Sequence, residues 1–234
     1  MAIAFGAVGT ANGGNSSIAY AFPTGITAGL TQTTNIHHNI MLSTGFGLGY
    51  PGLSQNYGWT TPVNFYNNTI IMNSGAGIVE AAVWLASEGV SANIKYYNNL
   101  LTGAISGDYR MIVMDPLGPS VWDYNGVPSG VTVSLVSNSN PGTIIANYTG
   151  LTAAAAGVAA NGGIAIDAHS VTNSTPSFVG GTPALPSQAY QLNSGSPFKT
   201  TGSADGTTGG AACEMGAWGG ATVPTNVGYN PAVT

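Results

Sequence analysis

A chain of 234 residues and 23.4 kDa can bury one well-packed domain, with or without an added arm. Its charge is the unusual quantity: three Lys/Arg and eight Asp/Glu make 5% of the residues, against about 25% in ordinary soluble domains, and the net charge is −5. That balance offers no basic field to nucleic acid or to an anionic membrane surface, and no run of about 18 apolar residues exists to span a bilayer, so nucleic-acid binding and membrane insertion are both excluded from the reading.

In chain order, the segment from Met1 to Gly6 has no basic stretch and no sustained apolar run, so no signal peptide is expected. Yet the sequons at Asn15, Asn67, Asn147 and Asn173, with abundant Gly, Asn and Thr, have an exterior character. Residues 1–30 are predicted as a cap or attachment arm, 31–220 as a repeat region and 221–234 as a tail. The repeat starts at Asn35-Ile36-His37-His38-Asn39-Ile40 and returns as Asn64-Phe65-Tyr66-Asn67-Asn68-Thr69 and Lys95-Tyr96-Tyr97-Asn98-Asn99-Leu100. A weaker copy is Trp122-Asp123-Tyr124-Asn125-Gly126, and Ile145-Ala146-Asn147-Tyr148 is a fifth, partial one. Between positions 38, 67, 98 and 125 the steps are 29, 31 and 27 residues.

Each copy is a short alternating strand, an Asn corner and a second apolar strand, with Gly-rich turns between copies. Short strands recurring at that period suit a solenoid whose strands stack in parallel from one repeat to the next. A ladder of side-chain amides is predicted at His38, Asn67, Asn98 and Asn125, with Asn39, Asn68 and Asn99 beside it. Ile36, Phe65 and Tyr96 are expected to stack internally beneath them. Glu80–Glu88 fits a short helix or a strand, and Ala153–Ala160 a short helix. The Pro/Gly-rich stretch from Thr175 to Thr234 is expected to fold back over the C-terminal end or to reach a neighbour. The single Cys213 excludes an internal disulfide framework and reads as a small apolar side chain.

These residues resemble the right-handed parallel β-helix superfamily, the pectate-lyase-like fold. The succession Thr175-Pro-Ser-Phe178, Tyr190-Gln-Leu192, Gly195-Ser196-Pro197, Asp205-Gly206 and Glu214-Met-Gly216-Ala217-Trp218 is similar to the ending of bacterial members. It departs from them in having Thr-Pro-Ser where they carry Asp-Pro, and in placing the acidic residue before Gly-Ala. The resemblance spans roughly residues 34–220 and implies an all-β, single-stranded right-handed parallel β-helix with a capping N-terminal arm and a C-terminal tail. The first 30 residues resemble the opening of small β-domains on phage virion proteins.

For enzymatic members the resemblance implies a polysaccharide lyase or glycoside hydrolase, which needs a base with a charge neutraliser or two carboxyls on one face. Asp108, Arg110, Asp115 and Asp123 are the catalytic candidates, weighed against a local surface pair between Asp108 and Arg110 worth under about 1 kcal/mol. His37 and His38 are adjacent on a strand, where side chains point to opposite faces, so no metal site is predicted there; Asp205 reads as a turn former, and no cofactor is expected. Tyr50, Tyr57, Trp59, Tyr109, Trp122 and Tyr124 lie in or near inter-strand loops, available for sugar rings or for packing against a neighbouring subunit. The function expected is a non-enzymatic structural protein of a virion surface (a fibre, spike or decoration subunit), partnered with itself, with other virion proteins and with a cell-surface glycan. The alternatives are a tailspike-type polysaccharide lyase or glycoside hydrolase, and a secreted bacterial surface adhesin.

Overall fold

A computed structural model describes residues 34–45, 54–55, 63–74, 83–85, 94–104, 112–114, 121–137, 140–163, 166, 168–173, 176–179, 190–205, 210–220 and 228–230. They are mostly strands, with one short helix. Three strands recur in rotation along the first part of the chain. β1 (Thr34–His37), β4 (Val63–Tyr66), β7 (Ile94–Tyr97) and β10 (Val121–Asp123) pair in parallel as a four-stranded sheet in that order.

After one intervening residue behind β1 and two behind each of the others, a second set begins: β2 (Asn39–Gly45), β5 (Thr69–Ser74), β8 (Leu100–Ala104) and β11 (Gly126–Val127), also parallel. The third set is β3 (Ser54–Gln55), β6 (Val83–Leu85), β9 (Ile112–Met114) and β12 (Thr132–Ser137), parallel again. The register keeps equivalent residues of the repeat side by side, as in Ile36↔Phe65↔Tyr96↔Trp122. The stretch that fitted either a helix or a strand is strand at β6.

Alternation within the four-stranded sheet decides the core. Ile36, Phe65, Tyr96 and Trp122 all point inward and are buried. Phe65 stacks on Tyr96 with centroids 5.0 Å apart, and Tyr96 on Trp122 at 4.3 Å, the rings parallel to within 8° and 4°. Ile70, Leu101 and Val127 from the second sheet and Met114, Val133 and Leu135 from the third fill the same core.

β12 then turns back into the antiparallel β13 (Asn140–Thr149), and this overturns the fifth copy of the repeat. Asn147 joins no amide column. Its Oδ1 accepts the Ser134 hydroxyl at 2.5 Å across the hairpin, and Ile145 faces solvent. Helix α1 (Leu151–Ala160) follows and adds Leu151, Ala154 and Val158 to the core. Gly157 lets it approach Tyr148, whose ring lies 2.3 Å from where a Cβ would be.

The second sheet is apolar on both faces, as strands covered from both sides are. Its outer cover is the C-terminal segment. After β14 (Val171–Thr172) extends this sheet beyond β11, Leu192, Phe198 and Met215 pack on Leu100, while Tyr190, Ala217 and Trp218 pack on Ile40 and Ile71. A short antiparallel pair, β15 (Gly202–Ser203) and β16 (Ala212–Cys213), lies within this segment. Finally β17 (Gly228–Asn230) pairs in parallel with β2 at the sheet's other edge, Gly228 opposite Asn39. Instead of folding over one end, this part of the chain travels back along the sheet toward the first strands. Apolar residues on the sheet's outer face required a cover of that length.

Candidate functional site

The corner between the first and second sheets is where the repeat places its most distinctive residues. His38, Asn67, Asn98 and Tyr124 occupy the first corner position with left-handed backbone, φ 56°, 50°, 57° and 54°. Asn tolerates that region better than most residues, which accounts for two of the four. The kink turns these four side chains away from the core. The next position, Asn39, Asn68, Asn99 and Asn125, turns inward instead.

Asn39 Nδ2 donates to Asn68 Oδ1 at 3.0 Å, Asn68 Nδ2 to Asn99 Oδ1 at 3.0 Å, and Asn99 Nδ2 to Asn125 Oδ1 at 3.2 Å. Each acceptor oxygen also takes the backbone N–H of the preceding ladder residue at 3.0–3.1 Å. Ser170 Oγ closes the series by accepting from Asn125 N at 3.0 Å. The predicted ladder therefore mixed two columns. Asn125 belongs with Asn39, Asn68 and Asn99, and the place level with His38, Asn67 and Asn98 is held by Tyr124. His38, Asn67 and Asn98 lie outside the ladder, because positive φ directs them outward. Asn98 instead binds Ser203, accepting its N–H at 2.9 Å and donating to its carbonyl, which anchors the C-terminal segment.

One residue before the corner, a second aromatic column runs on the outer face of the four-stranded sheet. His37 stacks on Tyr66 at 4.8 Å and Tyr66 on Tyr97 at 5.1 Å, with planes within 16° and 2°. Stacked this way, each ring covers its neighbour's face. Asp123 is the fourth member, opposite Tyr97 in the register. Lys95 stands in the neighbouring column, opposite Val121.

Asp123 is held by three donors: the His169 ring at 2.7 Å through Nδ1, the His169 backbone N–H at 2.7 Å, and the Tyr124 backbone N–H at 2.9 Å. His169 also stacks flat on Tyr124, 4.6 Å between centroids. The carboxylate accepts from Nδ1–H and so orients the ring, with Nε2 on the far side of a side chain that is 40% exposed. Chemically this is a carboxylate-oriented imidazole. Burial first, then Tyr66 and the negative charge of Asp205, push the Tyr97 hydroxyl up to about 12. Burial raises Tyr66 as well. The phenols of this face therefore hold their protons at neutral pH.

The remaining polar groups of the C-terminal segment bind one another. Lys199 pairs with Glu214, Lys199 Nζ donates to the Leu192 carbonyl at 3.1 Å, and Glu214 accepts the Leu192 N–H at 3.0 Å. Asp205 accepts the Ser203 hydroxyl at 3.1 Å. Burial raises the Cys213 thiol, opposed by hydrogen bonds from the Gly220 backbone and the Asn98 side chain and aided a little by Glu214 and Asp205.

Of the sequence candidates, Asp108, Arg110, Asp115, Tyr50, Tyr57, Trp59 and Tyr109 lie outside the described residues. Trp122 is not a loop aromatic open to sugar; it is 1% exposed in the core, because it is the inward residue of β10. Tyr124 is also buried, one ring face taken by His169. His169 went unseen as the partner of Asp123, being 46 residues away with no motif joining them. The outer ring column was available in the repeat alignment, one residue after the inner one. Among the described residues no group of three His, Cys, Asp or Glu side chains converges. A scan against protein-family models gives no match, and searches of curated proteins and of solved structures give none either.

Proposed function

We propose that the chain is a single-stranded right-handed parallel β-helix that serves as a structural, non-enzymatic subunit of a virion surface, in a fibre, spike or decoration protein. The observation that carries the architecture is the continuous Asn39–Asn68–Asn99–Asn125 series, joined amide to amide across steps of 29, 31 and 26 residues. Three strand sets visited in rotation, all parallel, agree with one coil per repeat. Right-handedness follows from the near-universal hand of parallel crossovers. In this reading α1 covers the last coil and β17 covers the edge of the first, as the open ends of a solenoid require.

The structural role draws on how polar groups are used. The ladder amides, Asn98, Lys199 and Glu214 all bind other parts of the same chain, and the chain carries 5% charged residues in all. The exterior-type composition, rich in Gly, Asn, Ser and Thr, fits a particle surface. Self-association and glycan contact are part of the proposal, glycan contact resting on Tyr50, Tyr57, Trp59 and Tyr109. Immunogold labelling and mass spectrometry of purified virions and cell-surface fractions test it. The chain is expected on the particle; its recovery only from a cytosolic fraction contradicts the reading.

A second reading, the polysaccharide lyase or hydrolase, has one observation behind it: the exposed His169–Asp123 pair beside Tyr97. It is the weaker reading, because the Tyr97 phenol is pushed away from the phenolate form a lyase base would need.

A further inference from the structure

His37 and His38 end β1, and strand alternation alone would send them to opposite faces. The corner cancels that alternation. His38 has φ 56°, and its ring swings to the outer side, where His37 already lies. The two Nδ1 atoms stand 2.6 Å apart, with the ring planes at 84°. The prediction of no metal site at this pair rested on alternation, and at this residue alternation fails.

Two contacts prepare the rings. His38 Nε2 lies 2.9 Å from the Gly219 carbonyl, which can only accept, so Nε2 carries the proton and Nδ1 keeps its lone pair. Asn67 Nδ2 approaches the same nitrogen only at 3.5 Å, so the shorter contact sets the tautomer. A ring that donates its far N–H to a backbone carbonyl while its near nitrogen stays bare is arranged as metal-ligating histidines are. His37, stacked on Tyr66, is held against rotation.

We propose that His37 and His38 together chelate one divalent transition cation of the imidazole-preferring class (Cu²⁺, Zn²⁺ or Ni²⁺) through their two Nδ1 atoms, with water completing the coordination. Ligands about 2.0–2.1 Å from the metal stand about 2.9 Å apart at right angles and about 3.3–3.4 Å apart at zinc's tetrahedral angle, so the Nδ1 atoms part by about 0.3–0.8 Å and the rings turn until both lone pairs converge on the ion. Without the cation, His37 Nδ1–H donates to His38 Nδ1. On binding, His37 releases that proton to solvent and takes one at Nε2, so both rings stay neutral and two coordinate bonds replace one hydrogen bond. The inference does not depend on the proposed role at a virion surface.

The test is calorimetric titration of the tag-free full chain with Cu²⁺, Zn²⁺ and Ni²⁺ salts in turn, with electron paramagnetic resonance of the Cu²⁺ form. One ion per chain is expected, its spectrum showing two imidazole nitrogens. His38→Asn places at this corner the residue that already stands at 67 and 98, so the fold should survive. It should weaken binding by at least about 10-fold, the loss that even an outer partner of a metal site causes. His37→Gln, at an exposed position, should do the same, while His169→Ala should leave the affinity unchanged. No saturable binding by the wild-type chain, or wild-type affinity in both corner variants, would reduce the pair to a shared proton and overturn the proposal. Loss confined to His169→Ala would also overturn it, by moving the ion elsewhere.

Discussion

Asn99 stands in the middle of the inner amide ladder, between Asn68 and Asn125. Fully buried, it donates to the Phe65 and Tyr97 carbonyls and to Asn125, and accepts from Asn68 twice. Asn99→Ala strands several buried polar groups at about 1–3 kcal/mol each, so chemical denaturation should show a loss of about 3 kcal/mol or more. The exposed pair Asn64 to Asn35 offers the control, where Asn35→Ala should cost less than about 0.5 kcal/mol. Equal losses at the two sites would deny the ladder its role. Tyr97 gives a pH prediction. Its folded value, about 12, lies above the free value of 10.0, so the unfolded chain loses the proton first. Its contribution to stability is complete below pH 10 and is lost as pH rises toward 12. Urea midpoints across that window should fall less steeply in Tyr97→Phe than in wild type; identical slopes would refute the assignment. The repeat made both Asn columns legible, but not which faces inward. That depends on one left-handed residue per corner, and Trp122-Asp123-Tyr124-Asn125, with a single Asn, aligned equally well with either.

At the scale of elements, the informative unit is the C-terminal segment laid over the second sheet. Gly126 is the clearest sign of how closely it lies: a Cβ there would stand 2.8 Å from Phe198 and 2.9 Å from Leu100. Gly126→Val should therefore cost about 1–3 kcal/mol by overpacking, seen as a lowered Tm. An unchanged Tm would mean that the segment is not seated there. The Lys199–Glu214 pair pins the same segment, and Lys199 is one of only three tryptic sites in the chain. Glu214→Ala should lose about 1–3 kcal/mol and expose the bond after Lys199 to trypsin, whereas the wild type should resist cleavage there. Cleavage at equal rates in both would contradict the pinning. The Tyr190, Gly195-Ser196-Pro197 and Glu214-Met-Gly216 succession was visible in the sequence as an ending. Its path was not, because the contacts that fix it, such as Ala217 N–H to Thr69 Oγ1 at 2.9 Å, join residues 148 positions apart.

For the whole molecule, the low charge has a structural counterpart. Amide-to-amide bonds run along the corners, stacked rings line both faces of the four-stranded sheet, the Asp123–His169 contact joins β10 to the chain beyond α1, and the Lys199–Glu214 pair holds the C-terminal segment together. All-β character and parallel pairing were legible from alternation and the repeat period, since both are local or periodic signals. The His37–His38 contact and the Asp123–His169 pair were not, because each depends on a bend or crossing that periodicity does not encode. The central claim is that this scaffold acts by structure and not by catalysis. Incubating the purified chain with a panel of bacterial surface polysaccharides, and assaying new reducing ends and unsaturated uronate, tests it most directly. The account predicts neither product, with or without bound polysaccharide. Oligosaccharide release by the wild-type chain that is lost in Asp123→Asn would contradict it.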